Sequence, residues 1–327
     1  MNVLVTGGAG YIGSVTVESL IEGGHRVVVL DNLSTGHRAA VHPEATFQLG
    51  DIRDGELVQR LVDEHQLEAT LHFAAYSLVG ESMRQPGNYF GNNTAGTLDL
   101  LTALTEGGVD KFVLSSTAAL FGTPDEVPIS EDATVRPESV YGESKYLLER
   151  ALHWLSRTAG MGYATLRYFN AAGASDCYGE DHRPETHLIP LVLEVAQGRR
   201  KAISVFGDDY DTPDGSCIRD YIHVRDLARA HVLALEALQP GEERRYNLGN
   251  GKGFSVFEVI DVCRRVTGRE IPLEVAPRRA GDPGILVADS SRIGQELGWQ
   301  PEFPELEEAV CSAWQWRERY PHGYDKN

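Results

Sequence analysis

Short apolar runs alternate with longer, mixed segments along the first half of the chain. The runs cover residues 3–5, 27–30, 46–49, 70–73, 112–114 and 164–166, and the segments between them are long enough for helices. Near-continuous apolar strands separated by crossover segments are typical of a parallel sheet with helices on both faces. The pattern therefore predicts an α/β fold built on a doubly wound parallel sheet, in which ligands bind at the carboxyl ends of the strands.

The alternation ends at about Gly173, and the rest of the chain is rich in loops of Asp, Gly and Pro. A chain of 327 residues also exceeds the size at which one core usually stops growing. We therefore predict a first domain over residues 1–173 and a smaller mixed α/β lobe over residues 174–327. Segments near 215–228 and 244–256 are expected to pack back on the first domain. A cleft between two lobes is a common place for a small-molecule site.

The composition narrows the class of protein. Hydrophobic residues make up 42% and charged residues 24% of the chain, as in globular proteins, and no apolar stretch is long enough to span a bilayer. The formal net charge of -18 argues against a nucleic-acid partner, because such binding depends on clustered Lys and Arg. The N-terminus lacks a basic leader, since Gly7 and Gly8 interrupt its apolar run, so we expect a cytoplasmic protein.

The four cysteines lie far apart and form no CxxC or Cys/His spacing; they are Cys177, Cys217, Cys263 and Cys311. Reduced thiols in a cytosolic protein are therefore favoured over a disulfide framework. The sequence predicts no metal site.

A glycine-rich loop, residues 6–13, directly follows the first strand and opens a predicted helix. Glycines at positions 7, 10 and 13 suit a tight turn and the close approach of a pyrophosphate to a helix N-terminus. A structural turn is the alternative, but the order of strand, loop and helix favours a Rossmann-type dinucleotide site. The loop residues expected at the cofactor are Gly7, Gly10, Tyr11, Ile12 and Gly13.

Asp31 ends the second strand, where an acidic residue accepts hydrogen bonds from the ribose of adenosine. Its charge would repel a 2′-phosphate, so NAD is favoured over NADP. The alternative is that Asp31 caps the following turn. Asp51 and Ile52 follow the third strand and are candidates for an adenine contact, although a turn aspartate explains Asp51 equally well.

Tyr141 and Lys145 are four residues apart in a predicted helix, so their side chains share one helix face. A nearby ammonium and a positively charged nicotinamide would both favour the phenolate and lower the pKa of the tyrosine, as a general base requires. The pair alone is weak evidence. It gains weight because Thr117 ends the strand before this helix, where its hydroxyl can reach the same substrate oxygen. Hydroxyls at strand ends more often bond to local backbone.

Together these motifs resemble the extended short-chain dehydrogenase/reductase superfamily and, within it, the UDP-glucose 4-epimerase family. Besides the Tyr141 and Lys145 pair, the resemblance is carried by residues 3–13, 72–75, 92–93, 115–118, 166–170, 219–224 and 246–249. It covers essentially the whole chain. It implies reversible 4-epimerisation of UDP-glucose and UDP-galactose through a 4-keto intermediate, a tightly bound NAD and a homodimer.

The resemblance also implies roles for single residues. Tyr141 takes the proton from the sugar 4-hydroxyl, Lys145 holds the nicotinamide ribose, and Thr117 assists by hydrogen bonding. The further cofactor contacts are Asn32, Phe73, Ala74, Ala75, Asn92, Ser115 and Tyr168. The substrate contacts are Thr117, Tyr141, Phe169, Asn170, His187, Leu188, Arg219, Tyr221, Arg279, Asp282 and Leu286. For Arg219 and Arg279 the guanidinium fork independently suits a diphosphate, although surface arginines in loops are common.

The chain departs from the family pattern at three positions. Thr117 stands where many members have serine, and Ser77 stands where some have a lysine near the cofactor pyrophosphate. Leu286 stands where members restricted to non-acetylated sugars have a tyrosine. Since leucine leaves more room, we hypothesise that UDP-N-acetylhexosamines are also accepted.

Other functions remain open. The sequence does not distinguish well between a UDP-glucose 4-epimerase and a 4-epimerase of UDP-glucuronate or of a UDP-pentose. A sugar-nucleotide 4,6-dehydratase is less favoured, because such enzymes have an Asp-Glu pair where this chain has Ala118 and Ala119, so elimination lacks its acid and base. A non-catalytic NAD sensor would be expected to have lost a member of the catalytic set, yet Thr117, Tyr141 and Lys145 are all present.

Overall fold

A seven-stranded parallel sheet is the centre of the fold. The structure is a computed structural model that describes residues 1–279 and 282–325. In sheet order, with numbering along the chain, the strands are β11 (Glu243–Leu248), β6 (Gly162–Tyr168), β5 (Lys111–Thr117), β4 (Ala69–His72), β1 (Asn2–Thr6), β2 (Arg26–Asp31) and β3 (Thr46–Leu49). Every neighbouring pair is parallel, which confirms the predicted fold class.

Side chains of successive strand residues enter two different cores. Val3 and Val5 of β1 pack in one core, and Leu4 between them packs in the other. Strand β2 repeats the division, with Val29 on the first side and Leu30 on the second. Because successive strand residues face opposite sides and helices cover both, the strands read as continuous apolar runs.

Helices form the outer layers and the second lobe. They are α1 (Tyr11–Glu22), α2 (Gly55–His65), α3 (Val79–Ser82), α4 (Pro86–Tyr89), α5 (Thr97–Glu106), α6 (Val140–Ala159), α7 (Leu188–Ala196), α8 (Val224–Ala237), α9 (Val256–Thr267), α10 (Ser291–Leu297) and α11 (Leu306–Arg319). Helices α1 and α8 contribute to one core, and α2, α5 and α6 to the other. In the part of the chain that the structure describes, every helix is too short or too polar to cross a membrane.

Short strands position the second half of the chain around the carboxyl ends of the central sheet. The parallel pairs are β7 (Asn170–Ala172) with β10 (Tyr221–His223), and β8 (Ile203–Phe206) with β13 (Leu273–Ala276). A third small sheet places β9 (Ile218–Arg219) between β12 (Phe254–Ser255) and β14 (Ile285–Leu286). Helices α7, α9 and α11 pack together beside these strands in a separate apolar core.

Candidate active site

The glycine loop joins β1 to α1 and leaves the start of that helix without a side-chain cap. Gly10 is the N-cap residue and makes no side-chain hydrogen bond to the first turn of α1. Gly7 adopts a φ of +74°, and a Cβ on Gly13 would lie 2.2 Å from the carbonyl oxygen of Gly7. Uncapped amides at a helix N-terminus attract an anionic group. The loop therefore fits the pyrophosphate of a dinucleotide.

The substitution Gly13→Ala is expected to weaken the retention of NAD without unfolding the protein. The added methyl group would push apart the loop backbone, and such overpacking costs roughly 1–3 kcal/mol, which corresponds to about a 5- to 150-fold loss of affinity. The measurement is the NAD content of the purified protein together with the NAD dissociation constant. Gly87→Ala is the matched control, because its Cβ would meet nothing within 4 Å. Equal NAD content in the two variants would contradict the assignment.

Asp31 is both a turn cap and an available acceptor. Its carboxylate accepts hydrogen bonds from the backbone N–H groups of Ala9 at 2.9 Å and Leu33 at 2.8 Å. Burial raises the pKa of Asp31, and these two hydrogen bonds oppose that shift. A carboxylate has about four acceptor positions, so two remain for ribose hydroxyls. The cap alternative is thus present in the structure and is compatible with cofactor binding.

Asp51 is occupied by neighbouring side chains. Arg53 donates to both of its carboxylate oxygens at 2.8 Å, and the Asn32 amide donates to it at 3.1 Å. The hydrogen bonds from Arg53 hold the pKa of Asp51 well below its usual range. Ile52 beside it is buried. An adenine at this position would therefore meet the apolar side chain of Ile52 and an ion-paired carboxylate.

The segment that follows β4 runs directly beside the glycine loop. A Cβ on Gly7 would lie 2.6 Å from the backbone nitrogen of Ala74 and 2.7 Å from the carbonyl carbon of Phe73. Phe73, Ala74 and Ala75 are each half-buried. This close backbone approach places the three predicted residues next to the loop in space, although they are more than sixty positions away in sequence.

A π-helix at Phe90–Gly96 carries the predicted residue Asn92. Asn92 is half-buried and donates a hydrogen bond to the side-chain oxygen of Asn93. Asn93 is fully buried, accepts from the backbone N–H of Tyr76 at 2.8 Å and donates to the Tyr76 carbonyl at 2.9 Å. The sequence indicates no separate role for Asn93, but its side chain holds the segment that continues from Ala75 in place.

Thr117, Tyr141 and Lys145 converge where β5 ends and α6 begins. Helix α6 packs on β5, and its N-cap residue Ser139 accepts a hydrogen bond from the N–H of Gly142. Lys145 is 2% exposed, and its Nζ donates to the carbonyl oxygen of Ser115 at 2.9 Å. Buried polar groups from a strand end and a helix start thus share one small region.

Tyr168 completes this region from the neighbouring strand. It stands opposite Thr117 in the β5–β6 register, and its hydroxyl lies 2.5 Å from the Ser115 Oγ. Burial raises the pKa of Tyr168. The predicted cofactor contacts Ser115 and Tyr168 are therefore hydrogen-bonded to each other at the carboxyl ends of β5 and β6.

The pKa of Tyr141 moves in the direction opposite to the expected one. Burial raises it, and a hydrogen bond with the Thr117 side chain lowers it by less. Burial also lowers the pKa of Lys145 to about 7, because an ammonium loses its hydration there. In the chain alone desolvation dominates both groups. A positive nicotinamide ring beside Tyr141 would act in the opposite direction and favour its phenolate.

A buried ion pair lies next to Ser116, the residue before Thr117 at the end of β5. Arg167 and Glu149 are joined at 2.5 Å, with side chains only 3% and 6% exposed. The Glu149 carboxylate also accepts from the Ser116 hydroxyl at 2.6 Å, and Arg167 donates to the carbonyl oxygen of Glu131 at 3.2 Å. The network links β5, β6 and α6. Sequence reasoning used Arg167 only as part of a motif and missed Glu149.

Predicted substrate contacts lie on adjacent short strands. The β7–β10 register pairs Asn170 with Tyr221, and the β9–β14 register pairs Arg219 with Leu286. The Asn170 side chain donates to the carbonyl oxygen of Asp220 at 2.9 Å. The chain at 219–221 therefore brings four of the predicted contacts together.

The two predicted arginines have different surroundings. Arg219 is hydrogen-bonded to the Asp282 carboxylate, and its side chain is largely buried. Arg279 lies over the Phe206 ring, 4.0 Å from its centroid. Because Arg219 and Asp282 already bind each other, a diphosphate would have to compete with Asp282 for the guanidinium.

The other predicted substrate residues lie at apolar positions or in a charged loop. Phe169 and Leu286 pack against the same small apolar cluster, and Leu188 packs against the core of the second lobe. His187 is the N-cap residue of α7, and its Nδ1 lies 2.6 Å from a Glu180 carboxylate oxygen. The His187 ring is thus engaged by a carboxylate that the sequence analysis did not consider.

Comparison with known proteins decides the family. The model for the NAD dependent epimerase/dehydratase family matches residues 3–249. The chain belongs to this family. A UDP-glucose 4-epimerase of Halalkalibacterium halodurans is 54% identical over 327 residues, which is 99% of this chain and 98% of that protein. NAD is the cofactor of this chain, as in the relatives of this family.

Solved structures agree over the same length. A crystal structure of a UDP-glucose 4-epimerase, 51% identical, superposes with a TM-score of 0.96 and covers 100% of both chains. Another, from Stenotrophomonas maltophila, holds NAD and a formylated UDP-arabinopyranose. It is 40% identical, has a TM-score of 0.94, and the match covers 98% of this chain and 99% of that one.

Proposed function

We propose that this protein interconverts UDP-glucose and UDP-galactose at carbon 4, with a tightly bound NAD and a UDP-sugar as its substrate. The convergence of Thr117, Tyr141 and Lys145 at the carboxyl end of β5, two strands from β1 and its glycine loop, carries the proposal. The full-length similarity to UDP-glucose 4-epimerases supports it. NAD, when bound, would supply the acceptor for the hydride of carbon 4 and would return that hydride to the same carbon.

The side chains of the site hold and move one proton. Tyr141 Oη accepts the proton of the sugar 4-hydroxyl as that carbon is oxidised, and returns it to the same oxygen when the carbon is reduced on its other face. Thr117 donates a hydrogen bond to the 4-oxygen. Lys145, held by the carbonyl of Ser115, donates to the nicotinamide ribose, and its ammonium form favours the phenolate of Tyr141.

The remaining residues bind and orient the two ligands. Phe73, Ala74, Ala75, Asn92, Ser115 and Tyr168 line the cofactor, together with Asn32, Asp51 and Ile52 at its adenine end. Arg219 and Arg279 clamp the diphosphate, and Asp282 accepts from the uridine ribose. Asn170, Tyr221 and Phe169 contact the substrate beside the sugar, and the segment at His187 and Leu188 closes over it. The burial of Tyr141 and Lys145 at the reacting end excludes water while the sugar is in its keto form.

The test is to incubate purified protein with UDP-galactose and no added cofactor, and to follow UDP-glucose. Turnover without added NAD is the expected result, because NAD is retained. UDP-glucuronate and a UDP-pentose are assayed in parallel, since these are the alternative 4-epimerase substrates. A product that has lost water would indicate a 4,6-dehydratase. If no sugar is converted even after NAD is supplied, the non-catalytic NAD sensor would be the remaining interpretation.

Leu286→Tyr is expected to restrict the sugar range. Leu286 is half-buried on β14 opposite Arg219, so a larger side chain there would narrow the sugar pocket. We expect the variant to lose about tenfold or more in kcat/KM for UDP-N-acetylgalactosamine, by analogy with the 10- to 200-fold discrimination of about one methylene. Its kcat/KM for UDP-galactose, the internal control, is expected to change by less than about threefold. An equal loss for both sugars, or no turnover of the N-acetyl sugar by the wild type, would contradict the hypothesis.

We also propose a homodimer, because large apolar side chains are exposed on two adjacent helices. Leu147 and Trp154, seven residues apart on α6, are 37% and 59% exposed, and Leu98 on the adjoining α5 is 40% exposed. Monomeric proteins rarely expose such clustered apolar surface.

Trp154→Glu is expected to convert the dimer to a monomer, because a charge buried without a partner in an apolar interface is strongly destabilising. Light scattering coupled to gel filtration measures the mass. Val275→Glu is the control, because Val275 is 49% exposed on β13, away from these helices. A dimer in both variants would place the interface elsewhere.

A cytoplasmic location is the last part of the proposal. All four cysteines are free in the described residues, which suits a reducing compartment. Fractionation of the source cells with an antibody to the protein tests it, and recovery outside the cytoplasmic fraction would overturn it.

A further inference from the structure

The loop between β7 and α7 gathers four metal-binding side chains. They are Glu180, His182, Glu185 and His187, in the spacing Glu-x-His-x-x-Glu-x-His. One donor atom of each lies within 4.8 Å of the donor atoms of the other three. The loop is outside the catalytic region that contains Tyr141, and the sequence analysis predicted no metal site.

The separations between these atoms suit one coordinated cation. Bonds of about 2.0–2.2 Å place tetrahedral ligands of Zn²⁺ roughly 3.4 Å apart. The Nδ1 of His187 lies 2.6 Å from Glu180 Oε1 and 3.3 Å from Glu185 Oε1. The Nδ1 of His182 lies 3.0 Å from Glu180 Oε1 and 3.9 Å from Glu185 Oε2. These four distances bracket the expected value and every donor pair lies within 4.8 Å, so shifts of about 1 Å would bring the four atoms to tetrahedral separations.

Burial supplies an independent reason for a cation. The side chains of Glu180 and Glu185 are 8% and 6% exposed. Among the described residues, the buried Oε2 atom of Glu185 has no hydrogen-bond partner, and Arg317 approaches it only to 4.0 Å. A buried carboxylate oxygen without a partner is costly, whereas a coordinated cation would satisfy it.

We propose that Glu180, His182, Glu185 and His187 bind one divalent cation, with Zn²⁺ as the preferred ion. Two imidazoles and two carboxylates are a donor set that Zn²⁺ accepts, and the two carboxylate charges balance its charge. A cavity of about 310 Å³, lined by Glu180, His182 and Glu185 among others, adjoins the cluster and gives the ion a path to it.

The cation would be structural. It would hold in place a loop that contacts the start of α1, beside the predicted cofactor site, and leads into α7, beside the predicted substrate contacts His187 and Leu188. The His182 ring packs edge-on against Tyr11, with ring centroids 6.2 Å apart, and the Tyr11 hydroxyl donates to the carbonyl oxygen of Gly173. Tyr11 is the first residue of α1 after the glycine loop, and His187 is the N-cap residue of α7. Binding at this loop therefore couples the start of the cofactor helix to the start of α7.

Metal content is the first test, and it uses full-length protein without a polyhistidine tag, which would itself bind Zn²⁺. The protein is stripped with a chelator, incubated with Zn²⁺, desalted and analysed by mass spectrometry of the metal. We expect about one Zn²⁺ per chain for the wild type. His182→Ala and Glu185→Gln should each retain less than about a third of that amount, since each removes one of four ligands. His153→Ala is the matched control, because His153 also contacts a carboxylate, Glu243, but lies outside the cluster; it should bind like the wild type.

A second measurement on the wild type alone covers the case in which a variant fails to fold. Adding Zn²⁺ to the stripped protein should raise its melting temperature by several degrees, and Co²⁺ in its place should give the visible absorption of a tetrahedral ion. If the stripped protein bound less than about a tenth of an equivalent of Zn²⁺ per chain and showed no shift in melting temperature, the proposal would be overturned. The cluster would then consist only of ion pairs between the histidines and the glutamates. These readouts do not depend on epimerase activity, so the metal site and the proposed function can fail separately.

Discussion

The variant Tyr141→Phe is expected to lose about 100- to 10,000-fold in kcat, the range that a positioned general base contributes. The substitution removes one hydroxyl and keeps a ring that is only 9% exposed and packs edge-on against Tyr89. The fold, the NAD content and the KM for UDP-galactose should therefore change little, because the lost interaction belongs to the reacting proton. The measurement is steady-state conversion of UDP-galactose, together with the NAD content of the same preparation.

Tyr146→Phe is the matched control for this result. Tyr146 lies on the same helix, five residues further along, and packs against the small apolar cluster that Phe169 also contacts. Its hydroxyl has no assigned role, so its kcat should remain near that of the wild type. Near-normal turnover by Tyr141→Phe, or an equal loss in both variants, would remove Tyr141 from the catalytic role.

The features that the sequence predicted correctly depend on local spacing. The strands read as apolar runs because both faces of the sheet are covered, and the turn between β1 and α1 could be predicted because strand, glycine loop and helix are consecutive in the sequence. Strand β11 was harder to recognise. It begins with Glu243, Arg244 and Arg245 at the edge of the sheet, where side chains reach solvent, so its first half has no apolar run.

The features that the sequence did not predict depend on contacts between distant positions. Arg167 and Glu149 are each unremarkable in the sequence, and only the packing of α6 on β6 makes them a buried pair. The cluster at Glu180 and Glu185 is local, but its loop has no helical or strand periodicity that would predict which side chains face inward. The upward shift in the pKa of Tyr141 also could not be predicted from the sequence. It follows from burial of the side chain, and the spacing of Tyr141 and Lys145 contains no information about burial.

The variant Arg167→Ala is expected to destabilise the protein by about 3–5 kcal/mol, the cost of leaving a buried charge without its partner. Glu149 is 6% exposed by its side chain and would keep only the Ser116 hydroxyl as a hydrogen-bond donor from this network. Thermal and urea unfolding measure the loss. Arg136→Ala is the control, since Arg136 pairs with Asp125 at the surface and should cost less than about 1 kcal/mol.

The double variant Arg167→Met with Glu149→Met separates the two possible reasons for keeping this pair. Replacing both charges by apolar side chains is often neutral or stabilising, so most of the lost stability should return. Activity should not return with it, because the pair also ties Ser116 on β5 to α6, and that junction positions Thr117 and Lys145. A kcat still at least about tenfold below the wild type in a stable double variant is the expected result. Recovery of stability and kcat together would show that the ion pair serves folding alone, and failure to recover stability would show that its geometry is required by the core.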